Sequence, residues 1–213
     1  WDLLGYVMGQ FLEADSVPVI APPFKKPDLI KIKSFFSSLA TTSSAELCLI
    51  VGISPEARDV DDAFKGREPQ DEITITQEMV EKVKTYLSCQ EPGPVNFVQI
   101  GCPHCSVEEL KQYADYMKGK KLAEGMECFF YTTLATRKMA EDSHILQTIE
   151  DTGAKVVTCG CIDVTSNLTD MAKAVCLSST KLTHYQKSEL KVPLYYGTDK
   201  QCMDAAISGY WEV

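Results

Sequence analysis

The sequence lacks an apolar run that approaches the roughly 18 residues needed to cross a membrane as a helix. It also lacks an excess of positive charge, because 21 Lys and Arg residues stand against 30 Asp and Glu residues and the formal net charge is −9 at pH 7. This balance disfavours a nucleic-acid partner but leaves room for a local basic pocket that binds a small anion. No internal repeat or low-complexity segment is present, so we expect a soluble globular protein of ordinary composition.

The N-terminal stretch WDLLGYVMGQF lacks a basic region and a cleavage signature, so it does not resemble a secretory signal. The nine cysteines are odd in number and follow no regular framework, a pattern typical of a reducing compartment. We therefore expect a cytoplasmic protein without a membrane segment. Because the chain opens on Trp1 inside an apolar stretch and without an initiator methionine, we also expect a piece of a longer polypeptide.

Predicted strands and helices alternate along the chain. Short apolar runs predict strands at 46–51, 95–100, 127–132, 155–159 and 192–196. Apolar side chains at helical spacing, together with capping residues, predict helices at 28–45, 76–87, 106–119, 136–153 and 198–209. This alternation predicts an α/β fold with mainly parallel sheets and helices on both faces. We treat residues 1–213 as one region with a possible internal boundary near 90–94.

The stretch GCPHCS, at 101–106, follows a predicted strand, where the ligand site of a parallel sheet lies. Its Cys102 and Cys105 have the C-x-x-C spacing of a dithiol centre, which would make the protein a thiol-disulfide oxidoreductase. Two observations weaken this alternative. The motif lies mid-chain, and Ser106 with Glu109 three residues later predicts a capping box at the start of a helix.

A zinc site is a further alternative. Zinc prefers four ligands, often in two C-x-x-C pairs, whereas Cys159 and Cys161 form a C-x-C pair. Cys161 follows a predicted strand, and Cys202 lies in the first turn of a predicted helix, where the helix dipole stabilises a thiolate. Both are placed as metal ligands would be, although a buried thiol is the simpler interpretation on spacing alone. The remaining cysteines lie in apolar runs or on predicted helices and are interpreted as buried thiols: Cys48, Cys89, Cys128 and Cys176.

The three histidines differ in context. His104 lies at a strand end, where it can serve as a structural hydrogen-bond donor or in catalysis. His184 belongs to the stretch SSTKLTHY with Ser178, Ser179 and Lys181, which combines hydroxyls, a cation and an imidazole suited to anion binding or proton transfer. The third histidine lies in a charged predicted helix and is interpreted as solvated.

Four stretches carry a resemblance to a known family, and they occur in that family's order. They are VGISPEA at 51–57, IGCPHCSVEEL at 100–110, GAKVVTCGCI at 153–162, and SSTKLTHYQ with YYGTDKQCMDAAISG within 178–209. Together they resemble the aconitase X family of iron–sulfur dehydratases, which includes cis-3-hydroxy-L-proline dehydratases and phosphomevalonate dehydratases. The resemblance covers nearly the whole chain, and because the family's catalytic region is longer, the chain resembles its C-terminal half.

The resemblance implies an aconitase-like fold and an iron–sulfur cluster. Cys161 corresponds to the cysteine of the family's D-T-C motif and Cys202 to a cysteine of the final helix, so both resemble cluster ligands. A third cysteine ligand is expected outside this chain, and Cys102 is the reserve candidate. The motif differs from the family pattern, because Cys159 and Gly160 replace the aspartate and threonine of D-T-C.

The resemblance also implies roles around the substrate. Ser179 corresponds to the base or its neighbour, Lys181 to a clamp on a carboxylate or phosphate, and His104 to a proton donor or orienting group. Three further residues are implied in substrate binding: Ser106, Ser178 and His184. Ser178 stands where the family has an asparagine.

The activity implied by the resemblance is β-elimination of water from a small hydroxy acid. A cluster held by three thiolates leaves one iron open to polarise the leaving hydroxyl and an adjacent carboxylate. The implied partners are a small anionic substrate and a small swivelling subunit or domain, with no nucleic acid and no membrane. Two alternatives stay open: the thiol-disulfide oxidoreductase, and an inactive fragment that lacks its N-terminal half.

Overall fold

The computed structural model describes residues 1–158, 160–161 and 171–212. Internal contacts divide the chain into two compact units, Trp1–Val83 and Lys84–Val213, and a helix at Gln77–Leu87 runs across the division. None of the helices in the described part is both long enough and apolar enough to span a membrane.

The first unit combines packed helices with a short pair of parallel strands. Its elements are α1 (Asp2–Gly9), β1 (Val19–Ile20), α2 (Leu29–Thr42), β2 (Leu49–Ile50) and α3 (Val60–Phe64). Helices α1 and α2 approach closely because Gly5 carries no side chain: a Cβ atom there would lie 2.4 Å from the carbonyl oxygen of Phe35. The helix predicted at 28–45 and the strand predicted at 46–51 are confirmed with shorter bounds.

The second unit is built on a five-stranded sheet in which neighbouring strands are parallel. The strands of this unit are β3 (Gly93–Pro94), β4 (Phe97–Cys105), β5 (Glu127–Thr132), β6 (Lys155–Val157), β7 (Val175–Leu177), β8 (Leu194–Tyr196) and β9 (Tyr210–Trp211). The remaining helices of the chain are α4 (Gln77–Leu87), α5 (Val107–Met117), α6 (Leu134–Asp142), α7 (Ile145–Glu150), α8 (Thr180–Glu189) and α9 (Asp199–Ser208). The large sheet has the order β6-β5-β4-β7-β8, and β3 pairs separately with β9.

The strand order reverses at the centre of the large sheet. From β4 the chain adds β5 and β6 on one side, and later adds β7 and β8 on the other. In a doubly wound sheet the crevice for ligands lies at such a reversal, beyond the carboxyl ends of the two adjacent strands. Here those strands are β4 and β7, and we call the space beyond their ends the switch crevice.

Side chains alternate between two faces of the sheet, and each face has its own core. The first face, to which Val98 and Ile100 belong, packs against α5, α7 and α9. The second face, to which Phe97 and Leu177 belong, packs against Leu182 of α8. Helices on both faces of a parallel sheet confirm the predicted α/β architecture.

The bounds of strand β4 differ from those predicted for it. The sequence predicts that this strand ends at Ile100, but it continues to Cys105, and pairing with β5 resumes between Cys105 and Thr132 after an irregularity. Gly101 permits the irregularity, because its φ of 117° favours glycine and a Cβ atom there would lie 2.5 Å from the carbonyl oxygen of Tyr131. The C-P-H-C residues therefore lie on an irregular strand end and not in a loop.

Two further predictions differ from the structure. The single helix predicted at 136–153 is two helices, α6 and α7, because the chain turns between them at His144, whose φ of 59° is left-handed. Both helices contribute apolar side chains to the first-face core, so the helical spacing of apolar residues continues through the break. The sequence pattern therefore does not indicate where one helix ends and the next begins. Strand β7 and helix α8 are not predicted, because β7 has only three residues and α8 is mostly polar.

Candidate functional site

The switch crevice brings together two stretches that are far apart in the sequence. The end of β4 carries Cys102 and His104, and β7 leads through Ser178 and Ser179 into α8. Because β4 and β7 are adjacent and parallel, their carboxyl ends lie at the same edge of the sheet. The P-H-x-S motif and the S-S-T-K stretch therefore flank one crevice.

His104 connects this crevice to the segment after β6. The side chain is exposed, and its Nε2 lies 3.2 Å from the carbonyl oxygen of Gly160. A carbonyl oxygen only accepts hydrogen bonds, so this contact requires the hydrogen on Nε2. Cys161 is the next residue and is exposed, while Cys102 is half-buried against the second-face core. Three predicted residues, Cys102, His104 and Cys161, thus belong to one edge of the sheet.

Ser106 caps α5 as predicted. Its hydroxyl accepts a hydrogen bond from the N–H of Glu109 at 3.2 Å, and its own N–H donates to Glu109 Oε2 at 2.7 Å. The hydroxyl also donates to the same carboxylate oxygen at 2.7 Å, and Glu109 is buried. The hydroxyl is therefore engaged in the cap. What α5 offers a ligand is its N-terminus, the positive end of the helix dipole.

Ser179 occupies the corresponding position in α8. It is buried, its hydroxyl accepts from the N–H of Leu182 at 3.3 Å, and its carbonyl accepts from Thr183 Oγ1 at 2.7 Å. Lys181 follows in the first turn and is half-buried, and no carboxylate of the described residues forms an ion pair with it. A cation at the positive end of a helix is unfavourable without a compensating anion, so Lys181 is suited to bind one.

Ser178 and His184 complete the residues predicted in this stretch. Ser178 is half-buried between β7 and α8. His184 is also half-buried and packs edge-on against Tyr185, with ring centroids 5.3 Å apart. At 1.5 Å per residue, His184 lies about 7.5 Å further along α8 than the cap residue Ser179. Ser178 is therefore nearer to the carboxyl edge than His184.

Cys202 has a different environment from the one expected. It is 0% exposed in the first-face core, and burial raises its pKa well above the usual value, with Cys176 and Cys128 adding to the effect. Both of these neighbours pair with Val98 of β4. Val98 is four residues before Cys102, so at 3.3 Å per residue the two thiols lie about 13 Å from the level of Cys102 along the strand, away from the carboxyl edge. The helix dipole does not produce a thiolate here, because desolvation disfavours the charged form.

The two cysteines of the C-x-x-C motif lie in different environments. Cys105 is buried in the first-face core, whereas Cys102 packs against the second-face core. Both are free thiols. This placement disfavours the thiol-disulfide oxidoreductase. Among the other cysteines, Cys89 is exposed and not buried as predicted, because it follows the end of α4.

The carboxyl edge fits an iron–sulfur cluster in part. Such clusters require thiolate ligands, and Cys102 and Cys161 supply two thiols at this edge. Cys202 fits less well, because its thiol is enclosed in the first-face core and burial raises its pKa. Cys159 lies outside the described residues. Within residues 1–158, 160–161 and 171–212, no three His, Cys, Asp or Glu side chains are grouped as a metal site.

A group of buried polar side chains, which was not predicted from the sequence, lies below the crevice. Gln99 of β4, Tyr131 of β5 and Gln186 of α8 form a hydrogen-bonded chain. In addition, Thr132 Oγ1 donates to the carbonyl oxygen of Cys105 at 2.6 Å and holds the end of β4. The available signal was a glutamine within the apolar run VNFVQI, because a polar residue on a central strand must bury its amide.

Two family models match the chain. Residues 1–85 match the model described as the aconitase X second domain, and residues 95–208 match the aconitase X third domain. The crystal structure of the holo-form of Thermococcus kodakaraensis aconitase X aligns with a TM-score of 0.80. That alignment covers 96% of this chain and 50% of the other at 22% identity, and it supports the fold.

Curated relatives are dehydratases by name. The phosphomevalonate dehydratase large subunit of Methanosarcina mazei is 31% identical over 97% of this chain and 48% of its own length. The cis-3-hydroxy-L-proline dehydratase of Hypocrea jecorina is 26% identical over 100% of this chain and 36% of its own length. The chain therefore spans less than half the length of these two relatives.

Proposed function

Because the chain belongs to the aconitase X family, we propose that it forms the C-terminal part of the catalytic region of a dehydratase that removes water from a small hydroxy acid. The observation that carries this proposal is the switch crevice, because Cys102 and His104 of β4 and the serine–lysine start of α8 follow adjacent parallel strands at the same edge of the sheet. The N-terminal part of the catalytic region is expected to supply the remaining groups.

The substrate is proposed to be an anion. Lys181 provides a half-buried cation without an ion-pair partner among the described residues, and two helix N-termini, those of α5 and α8, start at the same edge. Hydroxyproline and phosphomevalonate, named for the relatives, each carry a carboxylate. A lysine beside helix N-termini can bind a carboxylate or a phosphate, so this arrangement does not distinguish the two substrates.

Cys102 and Cys161 are proposed as two ligands of an iron–sulfur cluster, with a third cysteine supplied from outside this chain. Cys102 replaces Cys202 in this role because Cys102 lies at the edge, whereas Cys202 is enclosed in the core. When bound, such a cluster supplies an open iron that acts as a Lewis acid on the leaving hydroxyl.

The protein's own residues are proposed to orient the substrate and move protons. His104 carries its hydrogen on Nε2 and lies at the mouth of the crevice, where an imidazole can exchange a proton with the substrate. Ser179 accepts from the helix backbone and keeps its own hydroxyl hydrogen for a substrate oxygen or a neighbouring base. Ser178 is a candidate for a further hydrogen bond to the substrate.

A small partner and a reducing compartment complete the proposal. A relative is named as a large subunit, which supports assembly with a small subunit or domain that closes the crevice. The eight described cysteines are all free thiols, which supports a reducing compartment such as the cytoplasm. The net charge of −9 argues against a nucleic-acid partner.

The proposal is tested on the full-length gene product together with its small partner, purified without oxygen. Iron content and dehydration of cis-3-hydroxy-L-proline and 5-phosphomevalonate are measured for the unmodified protein and for Cys161→Ser. We expect one cluster per chain, activity on one of the two substrates, and loss of both in the variant.

Cys89→Ser is the matched control, because Cys89 is also an exposed thiol but lies outside the crevice. It should keep its iron and activity. An iron-free protein that exchanges disulfides through Cys102 would contradict the dehydratase proposal and favour the oxidoreductase. A folded, iron-free protein with neither activity would favour the inactive fragment.

A further inference from the structure

A chain of buried hydrogen bonds joins β4 to α8 below the switch crevice. Gln186 Nε2 donates to Gln99 Oε1 at 2.7 Å, and Gln99 Nε2 donates to the hydroxyl oxygen of Tyr131 at 3.3 Å. Gln99 and Gln186 are 0% and 1% exposed, and Tyr131 is also enclosed. Their surroundings are the aromatic and aliphatic side chains of the second-face core.

Packing alone does not account for two amides in this core. A leucine has nearly the volume of a glutamine and carries no polar group that must be desolvated. Moreover, Gln186 Oε1 has no hydrogen-bond partner among the described residues. Turning both amides over exchanges the roles of donor and acceptor between them. One polar atom of the Gln186 amide still has no partner among the described residues.

The two amides lie on the two segments that form the crevice. Gln99 is three residues before Cys102 on β4, and it pairs with Leu177 at the end of β7. Gln186 is seven residues after Ser179, which is about two turns of α8 and returns to the same face of the helix. The amide pair thus connects the first half of β4 with the second half of α8, below the crevice, through the buried faces of both elements.

We propose that Gln99 and Gln186 are positioning residues for the switch crevice: their hydrogen bond sets the height of α8 along β4, and hence the separation of Lys181 and Ser179 from Cys102 and His104. This inference rests on the proposed function of the crevice. Apolar contacts are non-directional and tolerate sliding, whereas a buried hydrogen bond is satisfied at one register only. The Gln99–Gln186 hydrogen bond, which lies outside the crevice, therefore fixes the distance between the end of β4 and the start of α8.

The test separates positioning from stability in the full-length protein. Gln99→Leu leaves the Gln186 amide without its partner, and Gln186→Leu leaves Gln99 Oε1 buried without its donor, so each single variant should lower the urea midpoint. The double variant removes both amides and should regain most of the original midpoint, because two apolar groups of similar size replace them and only the Tyr131 hydroxyl loses a donor. If the pair positions the crevice, the double variant should still show kcat reduced by about 10- to 100-fold, with a smaller change in KM.

Thr152→Val is the control for stability. Its buried hydroxyl donates to the carbonyl oxygen of Ile149 at 2.6 Å, near the amino end of β6 and away from the crevice. This variant should lower the urea midpoint without lowering kcat. A double glutamine variant that regains both its midpoint and a kcat within twofold of the original would overturn the inference, because the amides would then matter for stability only.

A second readout does not depend on activity. The rate at which iodoacetamide alkylates Cys102 in the metal-free protein, relative to the exposed Cys89, should change by about threefold or more in the double variant if the end of β4 shifts against α8. An unchanged ratio overturns the inference. Should the unmodified protein dehydrate neither substrate, the proposed function fails, and this ratio still decides the role of the two glutamines.

Discussion

The carboxyl edge of the five-stranded sheet and the core on its first face contain the same functional group in opposite environments. At the edge, Cys102 is half-buried and Cys161 is exposed. In the core, Cys176 and Cys202 are fully enclosed, and burial raises the pKa of both thiols. The edge thiols are at least partly accessible to solvent, whereas the core thiols stay protonated and serve as small apolar side chains.

For the protonation state of the Cys202 thiol, burial in the core outweighs its position near the N-terminus of a helix. Cys202 lies in the first turn of α9, where the dipole favours a thiolate by about 0.3–1 kcal/mol. Removing an unpaired charge from water costs several kcal/mol, on the order of 3–5 when a buried partner is lost. Desolvation therefore decides the protonation state of this thiol.

The largest effect is expected in thiol labelling of the metal-free protein. Iodoacetamide should modify Cys202 more than about a thousandfold more slowly than Cys161, because access requires opening of the core. Because burial raises the pKa of Cys202, increasing the pH from 8 to 9 should leave its labelling slow. Peptide mass spectrometry measures both rates, and similar rates would abolish the distinction between edge and core.

The next effect concerns iron. In the full-length protein, Cys102→Ala and Cys161→Ala should each lower iron retention by about 100-fold or more. Loss of a residue that only orients a metal ligand lowers metal affinity by about 10- to 100-fold, and loss of the ligand itself should have a larger effect. Cys202→Ala should retain iron and lose about 1 kcal/mol of unfolding free energy through the small cavity. Iron loss in Cys202→Ala with retention in Cys102→Ala would restore Cys202 as the ligand.

Lys181 tests the edge through substrate binding. Lys181→Met should raise KM by about 10- to 100-fold, because a hydrogen bond to a charged group is worth roughly 1.5–3 kcal/mol, while kcat changes less. Lys173→Met is the matched control, since Lys173 is exposed near the amino end of β7 and its loss removes the same charge. Equal KM values for Lys181→Met and Lys173→Met would show that Lys181 does not bind the anionic substrate.

The smallest effect is expected at the helix caps. Ser106→Ala and Thr198→Ala each remove a capping box and should each lower the free energy of unfolding in urea by about 1 kcal/mol. Only Ser106→Ala should also reduce kcat/KM, because α5 starts beside His104. Equal losses of activity in both variants would mean that the cap acts through stability and not through the crevice.

Local features of the fold were predictable because they depend on residues close in sequence. The strand at Glu127–Thr132 and the capped helix that follows Ser106 each depend on side chains within one strand or turn. The break at His144 was not predictable, because the apolar period of α6 continues into α7. The Gln99–Gln186 pair joins residues 87 positions apart, and no local pattern indicates such a contact.

Residue order alone established the α/β class, the family resemblance and the edge positions of His104 and Cys161, because each follows from motifs and from the alternation of strands and helices. Tertiary structure gave Cys102 and Cys202 different environments. Both are cysteines near predicted strand or helix ends, and their difference arises from the face and depth that the β6-β5-β4-β7-β8 order assigns to them. Burial is a property of the assembled sheet, since the neighbours of Cys202 include Cys128 of β5 and Cys176 of β7 as well as residues of its own helix.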